Sequence, residues 1–403
     1  MAKATDRTLP TGMRDVLPED TRTRRRLSRR LERAVSLHGF ELVTLPAFEF
    51  ESVLERGLGR LAREELLRFV EPETGESAAF RPDMTPQVAR LVATRLRERP
   101  PPLRIAYEGT VLRRRGTRAT SLAQFGVELV GPPHPQGDVE LLEVAAAALR
   151  AAGVQRFTLD VGDSAILRSL MEGLPAEQAE ALGDAFARRD ESEVRNILQT
   201  ANKSSSPLEA LVRIAGGADA VTAGVAALQG TPAEPYARRL ASLFEEGTRR
   251  GLPLSVDFGE VRGWAYYTGM RVHAYADGAA RSVGGGGRYD ELLRGFGRPL
   301  AAVGFSIDLD ELRVAVAAQS PAERRPPRVV VVGDRAATEL LRARGVPAID
   351  HDDAAAGEIH ARAWGFSHLL VGGTLRELAT GAAIAWNASA ASSLVTDSNE
   401  SGA

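Results

Sequence analysis

The stretch "AQFGVEL" (123–129) is where residue types and spacing speak most directly of chemistry. Read as a strand, it sends alternate side chains to opposite faces. Gln124, Gly126 and Glu128 then share one face, and Phe125, Val127 and Leu129 the other. The second face is core. The first sets an amide and a carboxylate on either side of a glycine, which removes a side chain where something else must come close. Two readings stay open. It is a solvated sheet face, or it is the floor of a site in which the carboxylate takes a cation and the amide takes either sign of a small zwitterion. Three more stretches carry polar chemistry. "VLRRRGTR" (111–118) concentrates arginines suited to phosphate, to nucleic acid or to plain solvent. "RGWAYYTG" (262–269) supplies an arginine, two tyrosines and two glycines, although paired tyrosines in a strand commonly serve packing. "GGGGRYD" (284–290) has four successive glycines, which implies close approach of a ligand or of another backbone, or else a flexible loop.

The elements that must position these residues follow from apolar spacing. Residues 20–38 place Leu27, Leu31, Ala34, Val35 and His38 near helical spacing, with Asp20 or Thr21 as the cap and Gly39 after the end. "GFELVTLPAFEF" (39–50) reads as a strand that stops at Pro46. "AAFRPDMTPQVARLVATRL" reads as a short strand, a turn at Arg81, Pro82 and Asp83, and a helix from near Thr85 with Pro86 in its first turn. "LRIAYEGTVLR" and "SLAQFGVELVG" flank the polar "RRGTRAT", which predicts an antiparallel hairpin. A helix ending at Gly153, a strand at "RFTLDVG", and strands at "LSVDFG" and "MRVHAYAD" follow, and "AAVGFSIDLDELRVAVA" reads as strand into helix. The Ala-, Leu-, Glu- and Arg-rich segment of about 164–250 reads as a helical insertion.

The expected organisation is a large domain over 1–318, a Pro-rich charged linker at 319–327, a small α/β domain with a parallel sheet at 328–390, and a flexible tail at 391–403. The chain has 403 residues, 44% hydrophobic and 26% charged, ordinary for a globular protein. With 51 basic against 53 acidic residues, the net charge of −2 argues against a dedicated nucleic-acid binder while leaving room for a local basic patch. There is no apolar run long enough to span a membrane, no apolar core in "MAKATDRTLPTG" that would mark a secretory signal, and no cysteine. These features lead us to expect a cytoplasmic protein. P-loop, G-x-S-x-G and H-E-x-x-H patterns are missing, so a metal site or a serine-hydrolase triad has no support.

Eight motifs fall in a familiar order: "LPTGMRDVLPED", "GFELVTLPAFE", "FRPDMTPQVAR", "YEGTVLR", "AQFGVELVG", "RGWAYYTG", "GGGGRYD" and "AVGFSIDLDEL". Together, from about residue 8 to 315, they resemble the catalytic core of histidyl-tRNA synthetase, a class II synthetase. The small C-terminal domain resembles a shortened anticodon-binding domain. The resemblance implies an α+β fold, an antiparallel sheet flanked by helices, and a dimer formed through the helix and strand ending at Pro46. It also implies a histidine pocket. Asp83 and Thr85 would hold the ammonium group, with Asp83 where the synthetase has glutamate. Gln124 and Glu128 match the pocket floor. Arg262, Tyr266 and Tyr267 match the segment "R-G-L-D-Y-Y", with Trp264 and Ala265 replacing Leu and Asp. Arg113 matches the motif 2 arginine that contacts carboxylate and α-phosphate.

The departures fall on the nucleotide side. Arg115 stands where a synthetase has the adenine-contacting glutamate. The motif 3 run "G-L-E-R-L" is here "D-L-D-E-L", with Glu311 in place of the arginine that grips phosphate and Asp308 in place of glycine. A charge-assisted arginine–phosphate bond contributes about 1.5–3 kcal/mol. Glu311 removes it and adds repulsion toward a polyanion. Productive ATP binding in the synthetase manner is therefore not expected, and Arg114, Arg115 and Arg118 read as a solvated or partner-facing loop. A synthetase-like fold with a histidine pocket and no adenylation apparatus resembles the regulatory subunits of ATP phosphoribosyltransferase, and "RPDMTPQVAR" is closer to that group than "R-P-E-G-T" is. That resemblance implies a non-catalytic subunit with no cofactor. It would assemble as a homodimer within a hetero-oligomer with the short-form catalytic subunit. L-histidine would be its effector, and neither nucleic acid nor membrane would be a partner. The rival readings are an active histidyl-tRNA synthetase and a paralogue that adenylates another amino acid.

Overall fold

The stretch 123–129 lies inside a strand, Arg118–Val130, that pairs antiparallel with Leu103–Arg115. The computed structural model describes residue 9 and residues 12–58, 66–115, 118–201, 207–261, 266–319 and 326–395, with the backbone alone at 114, 115, 118 and 119. The hairpin register sets Tyr107 against Gly126 and runs out to Arg115 against Arg118. Most of "RRGTRAT" is therefore ladder rather than connection. Pairing satisfies backbone groups whatever the side chains are, and a polar run does not by itself end a strand.

Among the described residues, nine strands form the main sheet. Their order is Glu41–Val43, Leu103–Arg115, Arg118–Val130, Ala302–Asp308, Gly284–Arg288, Met270–Ala276, Phe157–Asp163, Leu254–Asp257 and Ala215–Gly216. Only Glu41–Val43 against Leu103–Arg115 and Phe157–Asp163 against Leu254–Asp257 run parallel. The four glycines form a central strand, not a loop. A Cβ at Gly286 would stand 2.0 Å from the carbonyl oxygen of Gly304, so close approach of the neighbouring backbone explains the run.

Helix Pro18–Ser36 buries Leu27, Leu31, Ala34 and Val35, a stripe at helical spacing. It begins before the expected cap. Leu17 precedes it without a side-chain bond, Pro18 occupies the first turn, and the Thr21 hydroxyl donates to the Val16 carbonyl at 3.0 Å. His38 lies past its end and is exposed. Helix Gln136–Ala152 ends at Gly153 with φ +104° and packs on the same sheet face. There Phe125, Val127 and Leu129 join Leu27, Leu31, Leu141 and Leu142 in one core. The opposite face carries a second core that includes Met84, Val88, Tyr107, Val111 and Tyr289.

Segment 39–50 is not one strand. Glu41–Val43 joins the main sheet, whereas Phe48–Phe50 joins a three-stranded sheet with Ser77–Phe80 and Leu67–Val70. The chain changes sheets around Pro46, whose carbonyl accepts from Arg81 Nη1 and Gln87 Nε2, both at 2.9 Å. Helix Thr85–Ala93 follows, with Pro86 in its first turn. Between 164 and 250 come helices Ser164–Met171, Ala176–Arg188, Glu191–Thr200, Leu208–Leu211, Ala218–Ala227 and Glu234–Arg249, interrupted by the edge strand Ala215–Gly216. Among the described residues, no helix is long and apolar enough to cross a membrane.

The chain divides into two compact units, 1–321 and 322–403. Most of the expected linker, 320–325, and the end of the expected tail, 396–403, lie outside the described residues. In the second unit, Val329–Val332 lies between Ala348–His351 and His368–Val371, all parallel. Thr374–Glu377 and Ala383–Ala385 then add antiparallel strands, so the sheet is mixed rather than wholly parallel. Residues 391–393 close a short helix, Ala388–Ser393, with Ala390 and Ala391 buried.

Candidate functional site

Gln124 and Glu128 are 5% and 1% exposed, so their face is not solvated. In register, Glu128 meets Gly304, Gly304 meets Gly287, and Gly287 meets Arg271. The carboxylate lies over the bare backbone of the next strand, since a Cβ at Gly304 would stand 1.7 Å from Glu128 Oε2. Gly126 has another purpose: its missing Cβ makes room for the Tyr107 ring, which would be 2.4 Å away. The room read from the sequence is filled by protein.

Three hydroxyls converge on Glu128. Thr85 Oγ1 donates to Oε1 at 2.7 Å, the Tyr107 hydroxyl donates to the same oxygen at 3.0 Å, and the Tyr289 hydroxyl donates to Oε2. Each bond favours the charged form. Burial outweighs them and pushes the Glu128 carboxyl up to about 7. Burial likewise raises the Tyr107, Tyr266 and Tyr289 phenols well above their ordinary range, so they stay protonated donors.

Asp83 is held beside this group. Its Oδ2 accepts from the Tyr266 hydroxyl at 2.7 Å and its Oδ1 from the Met84 N–H at 2.9 Å. Arg81 pins the turn, giving Nε to the Thr110 carbonyl and Nη1 to the carbonyls of Leu45 and Pro46, each at 2.9 Å. Arg113 Nε donates to the Pro82 carbonyl at 2.8 Å. Tyr267 packs on Tyr266 with ring centroids 4.6 Å apart, and the Arg271 guanidinium lies 3.5 Å from its ring centre. Asp83, Thr85, Arg113, Gln124, Glu128, Tyr266 and Tyr267 all line one cavity of about 340 Å³, within the ~300–1,000 Å³ of small-molecule pockets. Arg262 lies outside the described residues, as do the side chains of Arg114, Arg115 and Arg118.

The same cavity extends to Asp308 and Glu311. Arg281 Nε donates to Glu311 at 3.0 Å. Asp308 Oδ1 accepts the N–H groups of Asp310 at 2.9 Å and Glu311 at 3.2 Å, and burial raises its carboxyl. That wall presents carboxylates and an arginine already paired. It is ill suited to a polyphosphate.

The motif reading missed Tyr107, Tyr289, Arg271 and Arg281, all of which line the cavity. Tyr289 was within reach, since it lies in the quoted "GGGGRYD". Tyr107 depends on the register across the hairpin, and Arg271 on three strand neighbours, which no local pattern encodes.

The family model for histidyl-tRNA synthetase matches residues 12–312. A histidyl-tRNA synthetase from Nostoc sp. PCC 7120 shares the fold at a TM-score of 0.77, with 20% identity, 96% of this chain and 99% of that one. The chain is thus built as a histidyl-tRNA synthetase-like protein on the class II synthetase core. A protein from Bacillus halodurans described as an ATP phosphoribosyltransferase regulatory subunit/histidyl-tRNA synthetase superposes at a TM-score of 0.79, with 26% identity over 92% of this chain and 99% of that one. An ATP phosphoribosyltransferase regulatory subunit from Anaeromyxobacter dehalogenans is 38% identical over 345 residues, 83% of this chain and 99% of the relative. Within that class, the chain belongs to the family of ATP phosphoribosyltransferase regulatory subunits.

Proposed function

We propose that this chain binds L-histidine in the Glu128 pocket and conveys feedback regulation to a short-form ATP phosphoribosyltransferase catalytic subunit, which needs it for the first step of histidine biosynthesis. It has no activity, cofactor or nucleic-acid partner of its own, and it works in the cytoplasm away from membranes. Asp83, Thr85, Gln124 and Glu128 take the cationic side of the ligand, Tyr266 and Tyr267 wall it, and Arg113 stands toward its acidic side; the family resemblance assigns Arg262 to the same ligand. The observation that carries this reading is the contrast within one cavity. Its amino-acid end has a buried carboxylate with three hydroxyl donors, whereas its nucleotide end has Glu311 already paired with Arg281.

Regulation operates by linkage. Histidine binds one quaternary state better and so moves the complex away from its active state, with a coupling of about 1–3 kcal/mol. A homodimer within the hetero-oligomer is supported by the three-stranded sheet after Pro46. Phe48 and Phe80 are 44% and 38% exposed there, and their rings pack on Phe69 with centroids at 5.2 and 5.5 Å.

The test is to add the chain to the short catalytic subunit and measure phosphoribosyl-ATP formation. The rate should rise with the chain, and no effect on it refutes the reading. Histidine-dependent ATP–pyrophosphate exchange by the chain alone should be absent. Its presence would establish the synthetase reading instead, and exchange with another amino acid a different adenylating enzyme. Glu311→Arg alone should not create exchange, because position 115 is also altered.

A further inference from the structure

The cationic side chains lining the cavity differ in what already occupies them. Arg113 gives Nε to the Pro82 carbonyl and Arg281 is paired with Glu311, while His273 Nε2 makes no hydrogen bond among the described residues but has the Glu260 carboxylate 3.5 Å away. Arg271 stands apart. It is 3% exposed, yet among the described residues its Nε and Nη1 have no hydrogen-bond partner. Burying a guanidinium without an anion is costly, and native proteins keep such groups mainly where something else completes them. Tyr267 supports the guanidinium at 3.5 Å from its ring centre, and Arg271 lines the cavity.

The strand register says what would fit. Glu128 and Arg271 stand on one rung of the sheet, three strand steps apart with Gly304 and Gly287 between them. At ~4.8 Å per step, their backbones are roughly 14 Å apart. Both side chains lean inward. The Glu128 carboxylate overlies Gly304, and the Tyr267 ring, which carries Arg271, overlies Gly287. The charged ends are therefore about one to two strand spacings apart, which a small zwitterion can bridge with a hydrogen bond at each end.

We infer that Arg271 is an anion subsite, holding the carboxylate of the amino acid whose cationic group lies at Glu128. The inference deepens the regulatory reading and rests on it for the ligand's identity. It moves the main acid contact from Arg113, which is engaged with the Pro82 carbonyl, to Arg271, whose planar fork suits a bidentate carboxylate.

Calorimetry separates the possibilities. L-histidine and histamine, which lacks the carboxylate, are titrated into the wild-type chain and into Arg271→Met. The wild type should prefer L-histidine by roughly 10- to 100-fold. In Arg271→Met that preference should fall to within about threefold, with histamine affinity changed by less than about threefold. Because the substitution removes a buried charge that has no carboxylate partner among the described residues, the ligand-free variant should melt no lower than the wild type. Loss of both ligands in equal measure, or a retained preference, overturns the inference. If Arg271→Met fails to fold, Arg271→Lys replaces it. It keeps the charge without the fork, so its preference should be intermediate, and an unchanged preference overturns the proposal. If histidine does not bind the wild type, the effector reading fails, and inorganic phosphate decides the subsite. Phosphate should raise the melting temperature of the wild type and not of Arg271→Met, and no phosphate effect on the wild type overturns the subsite as well.

Discussion

Glu128→Gln separates the charge of the pocket floor from its shape. The Glu128 carboxyl is raised from 4.5 to about 7, chiefly by burial. A carboxyl with a raised folded pKa binds its proton more tightly in the native state. Its favourable contribution is complete below about pH 4.5 and is lost as pH rises through 7. At ~1.36 kcal/mol per pH unit, that interval is worth about 3 kcal/mol. Glutamine has no charge to develop, so its hydrogen-bond mismatch against the three hydroxyls is the same at every pH. The quantity to read is the stability of Glu128→Gln minus that of the wild type, measured in urea at pH 5 and again at pH 8. It should shift by about 3 kcal/mol in favour of the variant at the higher pH. All six tyrosines lie in the first compact unit, so near-ultraviolet dichroism of tyrosine reports the core that contains the site. A difference between the two proteins that is the same at both pH values would refute the reasoning.

The same group should make ligand binding release protons. With a pKa of about 7, roughly half of Glu128 is protonated at pH 7 and about nine-tenths at pH 6. An ammonium bound beside it favours the ionised form, so calorimetry in buffers of different ionisation enthalpy should show proton release that Glu128→Gln lacks. Gly304→Ala should drive the carboxylate from its position, since a Cβ there would be 1.7 Å from Oε2. We expect a destabilisation of about 1–3 kcal/mol in urea and loss of histidine binding. If the proposed homodimer forms through this sheet, Phe80→Arg should give a monomer in sedimentation where the wild type gives a dimer, while leaving the melting temperature within a few degrees, because Phe80 is 38% exposed.

Local pattern exposed the alternation at 124–128, the helix stripe at Leu27, Leu31, Ala34 and Val35, and the turn into Thr85, because each depends on neighbours a few residues away. Residues from several of the family motifs line one cavity, with Asp308 and Glu311 on its acidic wall. What stayed illegible depends on register and packing. Glycine has no side chain to alternate, so the run 284–288 leaves close approach and a flexible loop both open, and its pairing with 270–276 and 302–308 decides for close approach of a neighbouring backbone. Gly126 pointed to a close approach without saying that Tyr107 makes it. The helix cap was misplaced because Pro18 starts the helix without help from a side chain. Arg271 is a further case, since nothing in "MRVHAYA" distinguishes a buried arginine packed on Tyr267 from one on an exposed strand face.

The most direct measurement is a histidine titration of phosphoribosyl-ATP synthesis in a reconstituted complex with the short catalytic subunit, using the wild-type chain or Glu128→Ala. The account predicts that both chains activate the catalytic subunit, that histidine suppresses synthesis with the wild type, and that Glu128→Ala shifts the inhibitory concentration upward by at least about tenfold. Identical histidine inhibition with the two chains would contradict it, because the effector would then be acting somewhere other than the Glu128 pocket.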